Sequence, residues 1–199
     1  MELKGDALTC VRGGREVFRN VTFNVASGQA LVVSGRNGAG KSSLLRAIAG
    51  LIRFAAGTLV LSGSDPELPI GEQAHYLGHQ DALKPAFTVR ENLSFWTEFL
   101  GTRRSVDPAL QAVDLTRLAD MPAAYLSSGQ RRRLSIARLI AVPRSLWLLD
   151  EPTSSLDTPS QKRLAELMRG HLGSGGIVVA AAHGAIGLER ARELNLDPT

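Results

Sequence analysis

Short apolar runs recur through the first third of the chain. LTCV, NVTFNV, ALVVSG and TLVLSG alternate or cluster as strands do, and AHYLGHQ (Ala74–Gln80) reads as another. From about Lys84 to Pro143 the pattern turns helical. Leu93, Trp96, Phe99 and Leu100 fall on one apolar face, and DPALQAVDLTRLA predicts a second helix. After Pro143 strands return in SLWLLD and GIVVAAA, with the helical SQKRLAELMRGHL between them. This order predicts an α/β core carrying a helical insertion over approximately residues 84–143, within a single domain spanning 1–199. Repeats, low-complexity tracts and an interdomain linker are not evident.

Composition narrows the classes. The 199 residues suffice for one sizeable core, and 44% hydrophobic with 21% charged residues describes a globular chain. The formal charge of +4 does not by itself point to nucleic acid. Apart from Arg131-Arg132-Arg133 the basic residues are scattered, and few aromatics interleave with them. Anionic nucleotide or lipid headgroups account for the charge equally well. Cys10 is alone in a strand-like run, so it predicts an inert buried thiol, no disulfide and a reducing compartment. The opening MELKGDALTC lacks the apolar core of a signal peptide, and the longest uncharged apolar stretch, Ile177–Ala182, is far short of a bilayer span. A membrane function therefore has to borrow another chain.

Chemistry concentrates at four places. Between the run ALVVSG and the helical KSSLLRAIAGL lies Gly35-x-x-x-x-Gly40-Lys41-Ser42. Glycine weakens strands and helices alike, so the cluster marks backbone geometry that side chains would obstruct. Backbone N–H groups can wrap a phosphate chain there, with Lys41 reaching the terminal phosphates and the Ser42 hydroxyl holding Mg²⁺. The following helix, with Leu44, Leu45, Ile48 and Leu51 at helical spacing and Gly50 as its stop, aims its positive end at the anion. Next, SLWLLDEP reads as a buried strand delivering Asp150 and Glu151 at its C-terminal edge, where ligands of open α/β sheets bind. Asp150 suits Mg²⁺, reached through water; Glu151 points elsewhere and could polarise an attacking water. Third, in LSSGQRRRLSIARLI a Ser-Ser-Gly turn opens a helix with Leu134, Ala137 and Ile140 on one side. It is either a capped structural helix with an exposed Arg face or a second anion site. A duplicate anion site makes sense if it serves a nucleotide held by a second copy. Fourth, His183 ends GIVVAAAH, either as a structural residue or, if its strand runs parallel to that of Glu151, within reach of the γ-phosphate or its water. His75, His79 and His171 show no metal-ligand spacing.

These landmarks, in this order, resemble the nucleotide-binding subunits of ABC transporters over nearly the whole chain. Gly35, Arg36, Asn37, Gly38, Ala39, Gly40, Lys41, Ser42 and Ser43 are similar to the Walker A loop and its continuation, Gln80 to the Q-loop glutamine, and Leu126, Ser127, Ser128, Gly129 and Gln130 to the signature. Leu146–Asp150 with Glu151 resemble Walker B and its catalytic glutamate, Ser154-Ser155-Leu156-Asp157 the D-loop, and His183 the switch histidine. The resemblance implies a P-loop core of mixed or parallel sheet, an added antiparallel β portion and a helical insertion. It also implies ATP as ligand, Mg²⁺ held by Ser42, Gln80 and Asp150, and catalysis by Glu151, His183 and Lys41. Two copies would sandwich two ATPs, with Leu126–Gln130 and Asp157 of each reaching the other's nucleotide. ATP would close that pair and hydrolysis reopen it. Integral membrane subunits would receive the motion, on the cytoplasmic face of a bacterial inner membrane.

Two departures stand out. Arg12 occupies the place of the aromatic that stacks on adenine, and Ser128 that of a signature glycine. A guanidinium plane can also stack on a base.

A narrower resemblance is to the ATPase subunits of the haem-handling ABC system of bacterial cytochrome c maturation. It rests on YLGHQDALKPAFTVRENLSFW (Tyr76–Trp96), the non-Gly Ser128 and the short chain. It implies membrane partners like CcmB, CcmC and CcmD and a periplasmic haem chaperone as client. The chain has no Cys-x-x-Cys-His, so no direct haem binding is expected. Another small ABC exporter or importer with a different cargo is the alternative. DNA-associated ABC ATPases place a long coiled coil between Walker A and signature; here 88 positions without heptads separate Lys41 from Gly129, so no nucleic-acid partner is expected. A non-hydrolysing nucleotide sensor is disfavoured by the presence of both Glu151 and His183.

Overall fold

The computed structural model describes residues 1–101 and 104–197. The chain opens on a hairpin of β1 (Glu2–Arg12) and β2 (Arg15–Ala26). Its turn is Gly13-Gly14, with both residues at positive φ, as a two-residue hairpin loop requires. β3 (Ala30–Ser34) leads into α1 (Lys41–Ile48), and β4 (Ala56–Ser62) returns to pair antiparallel with β1. The resulting three-stranded sheet has the order β2-β1-β4. β5 (Ala74–Leu77), α2 (Val89–Phe99), α3 (Asp107–Ala112), α4 (Ser128–Ala141), β6 (Leu146–Asp150), α5 (Thr158–Gly173), β7 (Ile177–Ala181) and β8 (Arg192–Asn195) complete the elements. The second sheet is wholly parallel, in the order β5-β6-β7-β3-β8.

The chain divides into two compact units, Met1–Gly78 with Arg144–Pro152 and Leu167–Thr199, and His79–Pro143 with Thr153–Glu166. In the first, Leu44, Leu45 and Ile48 of α1 share one buried cluster with Leu3, Leu8 and Val25 of the antiparallel sheet and Leu31, Val33, Leu148 and Val179 of the parallel one. Each such side chain contributes about 1.5–3 kcal/mol when fully buried. That burial holds α1, whose eight residues are too few for a helix to persist alone. β6 and β7 are buried at all five positions, so they read as continuous apolar runs without alternation. In the second unit α4 packs against α2 and α3, burying Leu134, Ala137, Leu93 and Leu110.

Five elements differ from the pattern reading. Helix α1 closes on Gly50 at φ +73, with Leu51 N–H bonded to the Arg46 carbonyl and Gly50 N–H to that of Ala47. This C-terminal motif puts Leu51 outside the helix and 62% exposed. The strand expected to reach Gln80 stops at Leu77, because Gly78 folds against the Tyr76 ring, 3.1 Å from where a Cβ would stand. On α2 the buried residues are Val89, Asn92, Leu93 and Thr97, while Phe99 faces out; Asn92 tolerates burial because its carboxamide bonds the carbonyls of Lys84, Phe87 and Thr88. The second predicted helix is only α3, since Asp114 takes a left-handed turn (φ +56) that breaks it. β8, with an exposed and polar RELN, carries no pattern that marks a strand.

Candidate functional site

Parallel pairing aligns three strand ends. Val33 of β3 and Asp150 of β6 both pair with Ala181 of β7, so the residues just beyond each strand leave the sheet at one level. Gly35, Glu151 and His183 therefore converge although they are far apart in sequence. Around them opens a cleft of about 750 Å³ lined by Arg12, Val17, Asn37, Gly38, Gly40, Lys41, Ser42, Ser43, Glu151 and His183.

The loop from Gly35 to Gly40 has the geometry its glycines predict. Gly35, Gly38 and Gly40 lie at φ +134, +86 and +100, where a side chain would strain the backbone. At Gly40 a Cβ would also come within 2.6 Å of the Val17 side chain. Ala39 N–H closes the loop onto the Arg36 carbonyl at 3.1 Å. Gly40 is the cap of α1 and has no side chain to satisfy the helix's first N–H groups, which leaves them for an anion. Lys41 is 7% exposed. Its ammonium donates to the carbonyls of Gly35 at 2.7 Å and Arg36 at 3.2 Å, and lies 3.1 Å from His183 Nε2. An ammonium can only donate, so in that contact Nε2 is the acceptor.

Asp150 and Glu151 diverge as expected of neighbours at a strand end, but a backbone twist sharpens the divergence. Asp150, 2% exposed, accepts from Ser42 Oγ at 2.9 Å and from the Tyr76 hydroxyl at 3.2 Å. Glu151 is left-handed at φ +45, while its N–H stays bonded to the Ala181 carbonyl at 2.9 Å. That conformation, costly for a non-glycine residue, brings Glu151 Oε1 to 3.6 Å from His183 Nε2. Ser42 and Asp150 offer adjacent hard oxygens of the kind Mg²⁺ takes together with phosphate and water. Among the described residues no group of three or more His, Cys, Asp or Glu side chains could hold a metal.

The remaining predicted residues are placed as follows. Arg12 is exposed at the end of β1, on the cleft wall beside Val17. Gln80 begins the second unit in an exposed bend and lines a separate opening with Asp81, Leu83, Pro85 and Arg131. In the same unit Ser127 caps α4, accepting from Gln130 N–H, while Gln130 Oε1 accepts from Ser127 N–H. Each side chain thus satisfies the other residue's backbone N–H, which leaves Ser128 and the Gly129 N–H in the first turn. Leu126 is buried and its carbonyl accepts from Arg131. The exposed Arg face of the structural alternative does not form. Arg132 is 2% exposed beside Asp81, at 3.4 Å, and Arg133 binds the carbonyls of Val113 and Asp114. Asp157 accepts from Ser160 N–H at 2.9 Å, and hydrogen bonding from the Ser160 hydroxyl first, then from its N–H, holds the carboxyl below the usual range.

Two residues escaped the pattern reading. Tyr76 was legible only as part of a strand, and Asp197 lies beyond the last apolar run. Asp197 Oδ1 accepts from Arg36 N–H at 2.8 Å, so the chain past β8 holds the start of the glycine loop. No helix among the described residues is long and apolar enough to cross a membrane.

Residues 18–154, well over half the chain, match the ABC transporter family. The cytochrome c biogenesis ATP-binding export protein CcmA of Nitrobacter winogradskyi is 59% identical over 197 residues, covering 98% of each chain. The protein of the same name from Bradyrhizobium diazoefficiens is 55% identical over 197 residues, again covering 98% of each. Among solved structures, an ABC transporter ATP-binding protein from Pyrococcus furiosus shares the fold, with a TM-score of 0.85 over 98% of both chains at 22% identity. A glycine loop, a buried Asp150 and the Glu151–His183 pair on one sheet edge, in a chain so similar to these proteins from end to end, lead to one assignment: the chain belongs to the ABC transporter ATP-binding family, in its CcmA branch.

Proposed function

We propose that this chain hydrolyses ATP at the shared end of β3, β6 and β7 to power a membrane exporter of cytochrome c biogenesis, in a system that handles haem. One observation carries the chemistry: the register that sets the glycine loop, Glu151 and His183 around one cleft, with Asp150 bonded to Ser42 of its wall. The Gly35–Ser43 segment cradles the phosphates with its backbone N–H groups, and Arg12 stacks on the base. Lys41 exchanges its two carbonyl partners for phosphate oxygens. Ser42 and Asp150 would hold Mg²⁺, which when bound would neutralise charge on the β- and γ-phosphates. Glu151 accepts a proton from water as its oxygen attacks the γ-phosphorus. The bond from phosphorus to the bridging oxygen breaks with its electron pair going to ADP, and phosphate leaves. His183, paired through Nε2 with either Lys41 or Glu151, orders the γ-phosphate and the water.

We assign Ser128 and the Gly129 N–H, with Leu126, Ser127, Gln130 and Asp157 around them, to the nucleotide held by a second copy. The whole chain, 1–199, then acts as one nucleotide-binding domain. Its helical portion, approximately 84–143, transmits closure to integral membrane subunits like CcmB, CcmC and CcmD at the cytoplasmic face of a bacterial inner membrane. Haem and nucleic acid are not ligands of this chain.

The test is turnover and assembly of Glu151→Gln. It should bind ATP, lose hydrolysis by about 10²- to 10⁴-fold and accumulate as a closed dimer in light scattering. A variant that hydrolyses normally, or stays monomeric at saturating ATP, overturns the reading.

A further inference from the structure

Tyr76 stands between Asp150, on which the proposed chemistry depends, and Arg46 of the helix that carries Ser42. Its hydroxyl donates to Asp150 Oδ2 at 3.2 Å and accepts from Arg46 Nε at 3.1 Å. The other carboxylate oxygen, Oδ1, accepts from Ser42 Oγ at 2.9 Å. Ser42 and Arg46 are four apart on α1 and so share one face of that helix. Both oxygens of a buried carboxylate are thus tied to the same helix, one directly and one through Tyr76.

The register explains why a tyrosine is needed. Tyr76 on β5 pairs with Leu148, two residues before Asp150 on β6. Two strand residues advance about 6.6 Å, a span a phenol covers and a serine or threonine hydroxyl does not.

We propose that Tyr76 is a positioning residue: its hydroxyl, steadied by Arg46, fixes the orientation of Asp150 toward the divalent cation that accompanies the nucleotide. This rests on the nucleotide-site reading above. A carboxylate that meets a cation through water needs its free lone pairs aimed before the cation arrives, and a donor on the far oxygen does this at no cost in charge. Ser42 is itself a candidate for the cation, so its hold on Oδ1 is the one that gives way. The Tyr76 bond lies on the other oxygen and does not compete with the cation.

The experiment measures binding of a fluorescent ATP analogue with and without Mg²⁺, and Mn²⁺ binding in the presence of nucleotide by electron paramagnetic resonance. It uses wild type, Tyr76→Phe, Arg46→Gln and Asp150→Asn. Tyr76→Phe should weaken the cation by roughly tenfold and leave metal-free nucleotide affinity within about twofold. Arg46→Gln should shift the cation in the same direction by less. Adding Tyr76→Phe to Asp150→Asn should produce no further loss, which a merely structural tyrosine would not satisfy. Unchanged cation affinity in both Tyr76→Phe and Arg46→Gln, or equal losses with and without metal, overturns the proposal. Wild type that binds nucleotide without any help from Mg²⁺ or Mn²⁺ instead overturns the site reading on which it rests.

Discussion

The ammonium of Lys41 lies 3.1 Å from His183 Nε2, across 142 positions of sequence. The same ammonium is bonded to the Gly35 and Arg36 carbonyls, so one cation ties the first turn of the glycine loop to the end of β7. Replacing it affects both fold and chemistry. Lys41→Ala should reduce ATP turnover by at least about 10²-fold, as loss of a charge-stabilising donor does. It should also cost about 1–3 kcal/mol of stability through the two carbonyls left short of a partner. Steady-state hydrolysis and denaturant unfolding read the two effects separately, and unaltered turnover would remove Lys41 from the site.

Glu151 is held left-handed at φ +45 at the head of the site. A side chain pays about 1–2 kcal/mol for that conformation, and glycine does not. Glu151→Gly should therefore stop hydrolysis while leaving the folded state as stable as wild type or up to about 1 kcal/mol more so. The urea midpoint measures it. A destabilised Glu151→Gly would show that the Glu151 side chain stabilises the fold instead of straining it.

Gly129 lies where α4 begins, and a Cβ there would come within 3.0 Å of the Ser155 carbonyl oxygen. Ser155 is itself left-handed at φ +63, which limits how far it can retreat. Gly129→Ala should cost about 1–3 kcal/mol by overpacking. Gly170, which has open space at its Cβ position, provides the contrasting site. Gly170→Ala, in the last turn of α5, should be stabilising by up to about 0.5–1 kcal/mol. Thermal unfolding of both variants tests the pair.

His171 stacks on Trp147 with ring centroids 4.0 Å apart and planes 7° from parallel, and its Nε2 lies 3.3 Å from the Ile177 carbonyl. Burial lowers its pKa below the ordinary value, so the unfolded chain takes up the proton first as pH falls. The contribution of neutral His171 is complete above about pH 6.5. It declines below that and levels off once the folded pKa is passed. In His171→Phe this part of the acid sensitivity should vanish, as seen in urea midpoints collected from pH 8 downward in steps. An identical pH dependence in the variant would exclude His171 as its source.

The narrow stretch LKPAFTVREN shows what a sequence pattern can and cannot say. Thr88 and Glu91 form a reciprocal cap for α2, and Asn92 clamps the loop from Lys84 to Thr88 through four hydrogen bonds. The residues that mark the branch thus act structurally here, which their spacing alone could not reveal. The Ser127–Gln130 pair was more legible, because a hydroxyl followed three residues later by an amide is itself a capping signal.

By itself the sequence determined what depends on neighbours a few residues apart. Glycines marked the loop that needs positive φ, apolar runs marked the buried strands, and a serine marked the start of α4, because local backbone preferences are written in residue type. Tertiary structure alone decided that Val33 and Asp150 both face Ala181, that Tyr76 reaches Asp150, and that Asp197 holds Arg36. Those relations come from hydrogen-bond ladders and core packing between segments tens to more than a hundred residues apart. No local pattern carries their register, since a slip of one residue would change every partner while leaving each segment's own sequence signal intact.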